Sequence, residues 1–520
     1  MGRGYSNSRS RTARPTLGMK RHRSLSMQRL RESLPPATTH KASTAAAAAP
    51  TKAAAKAKSR SPAAAAKRTP TAQNRSTARV RSASTIRQKL ALMERELADE
   101  LEPTEQVAET IVKPDVMTKY KSAGRALDEV MDIVAAACVP GANTKQLCDL
   151  GDTELLQRVL GMFSKAKDSN GNRILRGLSY PTNIAVNHTL CNHAPLTEEE
   201  AAVLCGGDVA KIHMGCHIDG YPVTAARTIV VPHDGSVDAA ASSALTRQLT
   251  QGASNAVEAA RVALHGMIHL LQPGRLNADV TDFIHRVGNH FGVQGLEGVL
   301  SNRTKRWVPD GMDSIITRRV TVEDPHQDVA ECCVGANQVW TLDVAFTDHP
   351  SYKVNLADSA ATIFRRTEVE FQQDARVRSV HASLQEITDK HQCFPFSIKH
   401  LDNPLKARMA VAMLRKQSVV DPLPVLRVKG ERHITARFSA TVAVSARRVT
   451  VLCGLPPAEP LAVPDDVRPP QVADDIAAVL TEPLVFPKEG PPPQKKARTE
   501  GGSSGRRSAG RGGENEDAKA

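Results

Sequence analysis

The residues best placed to do chemistry are His213, His217 and Thr224, which lie in the stretch from Asp208 to Val231. In the first half of that stretch, apolar residues alternate with polar or small ones, which is the period of a strand with one buried and one polar face. Gly220-Tyr221-Pro222 predicts a turn, and a second β-branched run then returns, so the whole stretch predicts a hairpin. A polar strand face beside a tight turn is a place where an enzyme can hold metal ligands.

The spacing of the two histidines argues against one shared metal ion. On a helix, four residues would place both side chains on one face, but on a strand the same spacing spans roughly 13 Å. We therefore expect structural roles for both His213 and His217.

Charge divides the chain into a basic first segment, an acidic middle and a weakly basic end. Up to Leu90 there are 21 Lys and Arg residues against one acid, which gives +20, and residues 487–520 carry +3. The whole chain carries +14, so residues 91–486 carry −9. A basic tail favours nucleic acid or the ribosome as its partner, although a tail that is merely solvated fits the same composition.

Residues 1–88 and 487–520 have the composition of disordered segments, because large apolar side chains are too few to offset the entropy of ordering. The first segment is rich in Ser, Arg and Ala, and a mitochondrial transit peptide remains an open interpretation of it. Its serines beside arginine, as at Arg23-Ser24, are candidate phosphorylation sites. The run Pro493–Arg498 resembles a short nuclear-import signal.

Two further classes are disfavoured by composition. The nine cysteines are scattered, odd in number and without a CxxC pair, so we expect neither a disulfide framework nor a cysteine-bound zinc. The sequence contains no long uninterrupted apolar run, so we expect no membrane span.

Helical periodicity and Pro-Gly breaks recur in two parts of the chain. The pattern predicts helices at 85–101, 125–137, 144–163, 253–271 and 277–291, strands at 338–346, 423–428 and 433–443, and a charged helical segment at about 366–416. Asn277 is the expected cap of its helix. Since Pro140-Gly141 and Pro273-Gly274 each separate a pair of helices, we predict an α+β fold with two similar halves.

Several motifs resemble one known family, in order along the chain. They are YPTNIAVNHTLCNHAP (180–195), GDVAKIHMGCHIDGY (207–221), GVLSNRTKRWVPDG (298–311), WTLDV (340–344), KARM (406–409) and ARFSATV (436–442). They resemble the pita-bread fold of type 2 methionine aminopeptidases, in peptidase family M24. The closer resemblance is to their non-peptidase relatives, the proliferation-associated (ErbB-receptor-binding) protein family. It implies a pita-bread domain at 118–460 with pseudo-twofold halves and a helical insert at about 366–428.

The same resemblance implies that the metal site is degraded. The aminopeptidases bind two metals through two Asp, one His and two Glu, because hard divalent ions held close together need several anionic oxygens. In that order, the ligand positions fall on His213, Thr224, Asn302, Asp343 and Ser439. At most His213 and Asp343 can ligate, and the count of anionic ligands falls from four to one. The expectation is a pseudoenzyme without catalytic residues, metal or cofactor.

His193 matches a histidine that contacts substrate in the peptidases, and we expect it to line a pocket. The family resemblance implies binding to the large ribosomal subunit or a pre-60S particle and to structured RNA. The implied roles are ribosome biogenesis, translation and growth control in the nucleus, nucleolus and cytoplasm, with no membrane partner and no small-molecule substrate. Two alternatives are an active M24 metallo-aminopeptidase with a rebuilt site and a nuclear transcription co-regulator.

The candidate RNA- or ribosome-binding side chains cluster in the inserted segment and in the chain that follows it. They are Arg365, Arg366, Arg376, Arg378, Lys406, Arg408, Arg415, Lys416, Arg427, Lys429 and Arg432. Phosphate contacts by such residues give affinity without sequence readout and weaken with salt. An exposed helix face with its charges in ion pairs is the alternative interpretation.

Overall fold

The computed structural model describes residues 110–168, 171–233, 247–319, 329–371, 378–460, 463 and 465–486. The tails predicted at 1–88 and 487–520, and the helix predicted at 85–101, lie outside these residues. No helix within the described ranges is long and apolar enough to cross a membrane. All nine cysteines fall inside the described ranges, and each is a free thiol.

Seven helices are described: α1 (Pro114–Ala137), α2 (Thr144–Gly161), α3 (Gln251–Leu270), α4 (Asn277–Phe291), α5 (Arg378–His391), α6 (Pro404–Lys416) and α7 (Asp474–Leu480). The first four confirm the two predicted helix pairs. The side chains of Asn143 and Thr250 cap α2 and α3 by accepting hydrogen bonds from backbone amides of the first turn.

The predicted cap at Asn277 is wrong. Leu276 occupies the cap position of α4 and Asn277 is the first residue of the helix. The side chain of Asn277 is buried, and its amide donates to the carbonyl oxygens of Ser314 and Ala330, each at 2.9 Å. The side-chain amide of Asn277, which the local pattern assigns to capping α4, is therefore used in hydrogen bonds to other segments of the chain.

The strands are β1 (Arg176–Val186), β2 (Thr189–Cys191), β3 (Val209–Ile218), β4 (Tyr221–Val230), β5 (Gln294–Gly295), β6 (Leu300–Thr304), β7 (Ser314–Ile316), β8 (Gln338–Thr347), β9 (Asn355–Leu356), β10 (Ile363–Arg366), β11 (Phe396–Ser397), β12 (Val420–Leu423), β13 (Leu426–Arg427), β14 (Thr435–Val444) and β15 (Val449–Cys453). Nine of them form an antiparallel sheet in the order β1-β3-β4-β14-β8-β6-β7, with β15 beside β14 and β5 beside β8. The predicted hairpin is β3–β4, in register from Val209 opposite Val230 to Ile218 opposite Tyr221.

Each half of the sheet carries its own helix pair and apolar core. Helices α1 and α2 cover β1, β3 and β4, whereas α3 covers β8 and β14 and packs against α4. The apolar residues of β3, among them Ile212 and Met214, belong to the first of these cores. The opposite face of β3, which carries His213 and His217, therefore points away from the helices.

The inserted segment is a small unit with a core of its own. Strands β11, β10 and β12 form a three-stranded sheet, and α5 and α6 pack against each other beside it. Apolar side chains such as Phe364, Ile387 and Leu414 fill the space between them. Lys399 fastens this unit to α2 through ion pairs of 2.7 Å with both Asp149 and Asp152. These ion pairs connect the insert to α2, in addition to the chain segments that lead into and out of it.

Candidate functional site

The five degraded ligand positions come together on one face of the central sheet. Ala226 of β4 pairs with His213 of β3 on one side and with Ser439 of β14 on the other. Ser439 pairs in turn with Asp343 of β8, so three of the five positions lie in one row across four strands.

The two other positions form a second row, displaced by two residues. Thr224 lies two residues before Ala226 on β4, and Asn302 of β6 pairs with Thr341, two residues before Asp343. Residues two apart on a strand face the same side, so all five side chains share one face. The five positions at which the family resemblance predicts lost metal ligands are therefore neighbours on one face of the sheet.

The carboxylate of Asp343 is occupied by a guanidinium. Arg437, two residues before Ser439 on β14, donates from Nε to Oδ1 of Asp343 at 2.9 Å and from a terminal nitrogen to Oδ2. Both side chains are about nine-tenths buried. Burial disfavours the charged guanidinium, but its attraction and hydrogen bonds to Asp343 prevail and raise the pKa of Arg437. This fork, in which each donor has its own carboxylate oxygen, is a strong form of ion pair.

His213 is a buried, neutral imidazole. Its Nδ1 lies 3.4 Å from the amide nitrogen of Asn183, and its ring packs on that of Tyr180 with centroids 4.3 Å apart. Burial, and then the nearby charge of Arg437, hold the pKa of His213 well below its usual value. A neutral imidazole is a ligand type for transition metals, but the positive charge that acts on His213 here is the guanidinium of Arg437.

The three remaining positions offer no anionic oxygen. Thr224 uses its backbone N–H and C=O on the hydroxyl of Thr441, and Asn302 accepts a hydrogen bond from Ser314 at 2.8 Å. Ser439 is fully buried, and its hydroxyl has no partner within the described part of the protein. The donor set therefore does not fit a pair of divalent ions. Across the described residues, no group of three or more His, Cys, Asp or Glu side chains is arranged to hold a metal.

The polar face of β3 is covered, which corrects the expectation of a strand with one polar, accessible face. His217 is 1% exposed; its ring stacks on Phe394 of the insert at 4.6 Å and lies 5.4 Å from Trp307. Gly220 at the hairpin turn has a φ of +78°, and a Cβ there would meet the Trp307 ring at 2.3 Å, so only glycine fits. The structural role expected for His217 agrees with this packing.

His193 is only half-buried. It lies in the loop that follows β2, and its Nδ1 is 3.0 Å from the carbonyl oxygen of Ile184. Its role in lining a pocket stays a prediction.

Some of the candidate RNA- or ribosome-binding residues form ion pairs with acidic side chains, and others do not. Arg365 forms a two-pronged ion pair with Asp310 at 2.7 Å, and Arg427 pairs with Asp358 at 2.8 Å. Arg366 is half-buried. Arg376 and the side chain of Arg378 lie outside the described residues.

We use the name α6 basic face for the four exposed cations of helix α6, which are spread around its solvent-facing half: Lys406, Arg408, Arg415 and Lys416. All four are exposed, and none takes part in the ion pairs formed among the described residues. Lys429 and Arg432 are also exposed, on the loop between β13 and β14. The insert thus presents exposed basic side chains, although residues 91–486 as a whole carry a net charge of −9.

Comparison with known proteins decides the family. The sequence model for metallopeptidase family M24 matches residues 118–338. ErbB-3 binding protein 1 from Solanum tuberosum is 30% identical over 319 residues, which cover 61% of this chain and 76% of the relative. The chain belongs to family M24. The curved DNA-binding protein of Schizosaccharomyces pombe, 27% identical over 73% of this chain and 93% of its own length, is similar to this M24 protein as well.

The fold of this M24 protein is confirmed by a solved structure. That of a thermophilic Arx1 superposes with a TM-score of 0.61 and 22% identity, over 72% of this chain and 99% of the other. The predicted α+β pita-bread architecture and the predicted relationship to the proliferation-associated, ErbB-receptor-binding proteins are therefore both confirmed.

Sequence reasoning about this M24 protein missed Arg437. The residue stands inside the motif ARFSATV, two positions before Ser439, where the strand period puts both on one face. The signal available in the sequence was a basic residue, Arg437, two positions before Ser439, where the family resemblance implies that a glutamate has been lost. Its partner is revealed only by the pairing of β14 with β8.

Proposed function

We propose that this M24 protein has no peptidase activity and binds large ribosomal subunits, or their precursors, through structured RNA. The observation that carries the first part is the fork between Arg437 and Asp343. A metal ion would have to displace a buried guanidinium from the one carboxylate left among the five ligand positions. The expelled cation would then be buried without its partner, which is costly.

The α6 basic face supports the second part. Unpaired Lys and Arg side chains attract phosphates without reading sequence, and they do so in competition with dissolved salt. Aromatic residues make up 3% of the chain, so stacking on bases is a minor source of affinity. This composition favours a structured RNA surface, where phosphates are dense, over single-stranded RNA.

The name of one relative is compatible with nucleic acid as a partner. It is the curved DNA-binding protein of Schizosaccharomyces pombe, whereas ErbB-3 binding protein 1 is named for a different partner. The family resemblance adds the ribosome as the particle and biogenesis or translation as the setting. In this proposal the protein works in the nucleus, the nucleolus and the cytoplasm, where subunits are built and used.

Sedimentation tests the ribosome-binding half. Full-length protein in a cell extract should co-migrate with 60S or pre-60S particles in a sucrose gradient and should be released as salt rises. A variant with the four residues of the α6 basic face changed to Gln should bind less. The matched control changes four exposed cations elsewhere, Lys121, Arg125, Arg286 and Arg319, to Gln and should sediment like the parent.

Two results would contradict this half of the proposal. Protein found only in the free fractions would favour the transcription co-regulator. Equal losses in both quadruple variants would show that general charge, rather than the α6 basic face, controls binding.

Peptide hydrolysis tests the other half. The purified protein should release no methionine from peptides with cobalt or manganese present. Changing Ser439 to Glu should leave that result unchanged, because one restored ligand does not supply the several anionic oxygens that a metal pair needs. Metal-dependent turnover by the parent would instead establish an active aminopeptidase with a rebuilt site.

A further inference from the structure

Two loops lie side by side at one end of the central sheet. The first connects β8 to β9 over residues 348–354, and the second connects β13 to β14 over residues 428–434. Strands pair at both ends of these loops, since Thr347 of β8 lies opposite Thr435 of β14, and β9 pairs with β13. The space between the two loops is therefore framed at each end by backbone hydrogen bonds.

Side-chain hydrogen bonds brace the β8–β9 loop at its two ends. The hydroxyl of Thr347 donates to the carbonyl oxygen of Ile434 at 2.8 Å and accepts from the backbone N–H of His349 at 3.1 Å. At the other end, the carboxylate of Glu297 accepts from the backbone N–H of Val354 at 2.9 Å. The loop is thus held in place by contacts within the protein, which lowers the cost of ordering it around a ligand.

A cleft of about 600 Å³ lies between the two loops. The side chains that line it and carry a positive charge or an imidazole come from both loops, and they are His349, Lys353, Lys429, Arg432 and His433. Ser351 and Asn355 add a hydroxyl and an amide, both of which can donate hydrogen bonds. None of the described residues that line the cleft is acidic. The cleft therefore offers donors to an anion without a carboxylate to repel it.

The two acidic residues of these loops leave the charge of the cleft in place. Oδ1 of Asp348 accepts from a backbone N–H at 2.8 Å and lies 3.3 Å from Nδ1 of His433, while Glu431 is exposed and does not line the cleft. Within the described ranges, neither Lys429 nor Arg432 forms an ion pair. Nε of Arg432 donates to Nε2 of His433 at 3.3 Å, so the terminal nitrogens of this guanidinium are left for a ligand.

The size and the charge of the cleft define the chemistry of its ligand. Lys353, Lys429 and Arg432 supply three positive charges, one from the first loop and two from the second. Arginine binds phosphate through parallel N–H bonds and lysine binds it as a point charge. One phosphate group fills only a small part of 600 Å³ and cannot reach cations on both sides. An anion that carries several phosphate groups matches both the volume and the charge.

We propose that the cleft between the β8–β9 and β13–β14 loops binds an anion with several phosphate groups. A free oligophosphate and a nucleic-acid backbone both present this chemical group. The cleft is separate from the α6 basic face, so the site does not depend on the proposed function. Only if backbone phosphates fill the cleft does it become a second point of RNA contact, and that outcome rests on the proposed function.

Lysine acetylation tests the site on the purified full-length protein. Sulfosuccinimidyl acetate is added with and without sodium tripolyphosphate, and the rate of acetylation is followed at each lysine by mass spectrometry. The rates at Lys353 and Lys429 should fall about threefold once tripolyphosphate is at about twice its dissociation constant, because bound phosphate covers both ammonium groups. Lys121 and Lys167, which are exposed elsewhere, should react at an unchanged rate. Sodium sulfate at equal ionic strength controls for screening and should protect neither pair.

Two variants separate the cleft from the general charge of the protein. Changing Lys429 and Arg432 to Gln removes two cations from one loop and should abolish the protection of Lys353 in the other loop. The matched control changes Lys406 and Arg408 of α6 to Gln, which removes the same charge outside the cleft, and should keep Lys353 protected. Circular dichroism of both variants checks that the fold is unchanged.

A second probe, a duplex RNA, identifies the source of the phosphates. Protection of Lys353 by tripolyphosphate but not by the duplex assigns the cleft to a free oligophosphate, and protection by the duplex assigns it to a nucleic-acid backbone. Protection by neither probe would overturn the proposal, as would equal protection of Lys121 or equal protection by sulfate. Protected Lys353 in a protein that fails to sediment with ribosomes would leave the cleft standing and remove the proposed function.

Discussion

The old ligand positions and the surface of the insert handle charge in opposite ways. In the sheet, Arg437 and Asp343 are buried and matched atom for atom. On α6, four cations stand in water with no acidic partner among the described residues. In the first arrangement each charge satisfies the other, and breaking the pair would leave one of them buried without a partner. In the second arrangement the exposed charges contribute little to the stability of the fold and are free to contact a partner.

The difference between the two regions predicts how each of them responds to mutation. A buried charge pair is costly to break, whereas exposed charges are cheap to change, so the two regions should respond oppositely to mutation. The interior should govern stability and the surface should govern binding. Each of the following predictions sharpens this contrast or breaks it.

The largest effect is expected from removing the guanidinium. Changing Arg437 to Met leaves the carboxylate of Asp343 buried without its counter-charge, which should lower the free energy of unfolding by about 3–5 kcal/mol. Urea denaturation followed by circular dichroism measures this change.

The double variant separates the charge from the packing. Changing Asp343 to Leu together with Arg437 to Met removes both charges and keeps apolar volume, so it should be more stable than the single Met variant. If the single variant were as stable as the parent, the fork would not be the structural replacement for the metals that we infer.

A smaller effect is expected from pH. Burial is the main cause that lowers the pKa of both His217 and His391 to about 3. A second cause is the neighbouring His391 for His217, and His400 and Lys390 for His391. In the unfolded chain both titrate near 6.5, so below that pH the unfolded state takes up protons that the folded state refuses. The free energy of unfolding should therefore fall as pH drops below about 6.5, by about 1.4 kcal/mol per pH unit for each histidine, which is about 3 kcal/mol for the two between pH 6.5 and 5.5.

Urea denaturation between pH 7.5 and 5.5 measures this slope. The matched variant changes His217 to Phe, which keeps an aromatic ring between Phe394 and Trp307 but cannot take up a proton. Its unfolding free energy should depend less steeply on pH than that of the parent. An unchanged slope would mean that His217 is protonated in the folded protein.

Much of the fold follows from local patterns. The alternation in 208–231 predicts the β3–β4 hairpin, and the two Pro-Gly breaks predict the helix pairs, because strand and helix periods are properties of short stretches. The burial of His217 does not follow in this way. The rings that cover it belong to Trp307 and Phe394, which lie far along the chain.

The candidate site could likewise be predicted from the sequence only in part. The five positions that the family resemblance implies share one face of the sheet, because each sits in a motif that fixes its strand, and their former role as ligands stays a prediction. The partner of Asp343 was not visible, since Arg437 meets it only through the pairing of β14 with β8. The exposed apolar side chains of α6 were missed because Leu405, Met409 and Met413 fit equally well as core residues when only the helical period is known.

The smallest effect on stability is expected from the surface, and it completes the comparison. Changing the four residues of the α6 basic face to Gln should alter the free energy of unfolding by less than about 0.5 kcal/mol, since exposed charges without partners contribute little.

The same variant should weaken binding to a structured RNA. It should also flatten the dependence of log affinity on log salt concentration by about three units, as expected when four phosphate contacts are lost. Fluorescence anisotropy at several salt concentrations measures both. A large loss of stability with an unchanged salt slope would reverse the roles assigned to the two regions, because α6 would then belong to the core and the RNA would bind elsewhere.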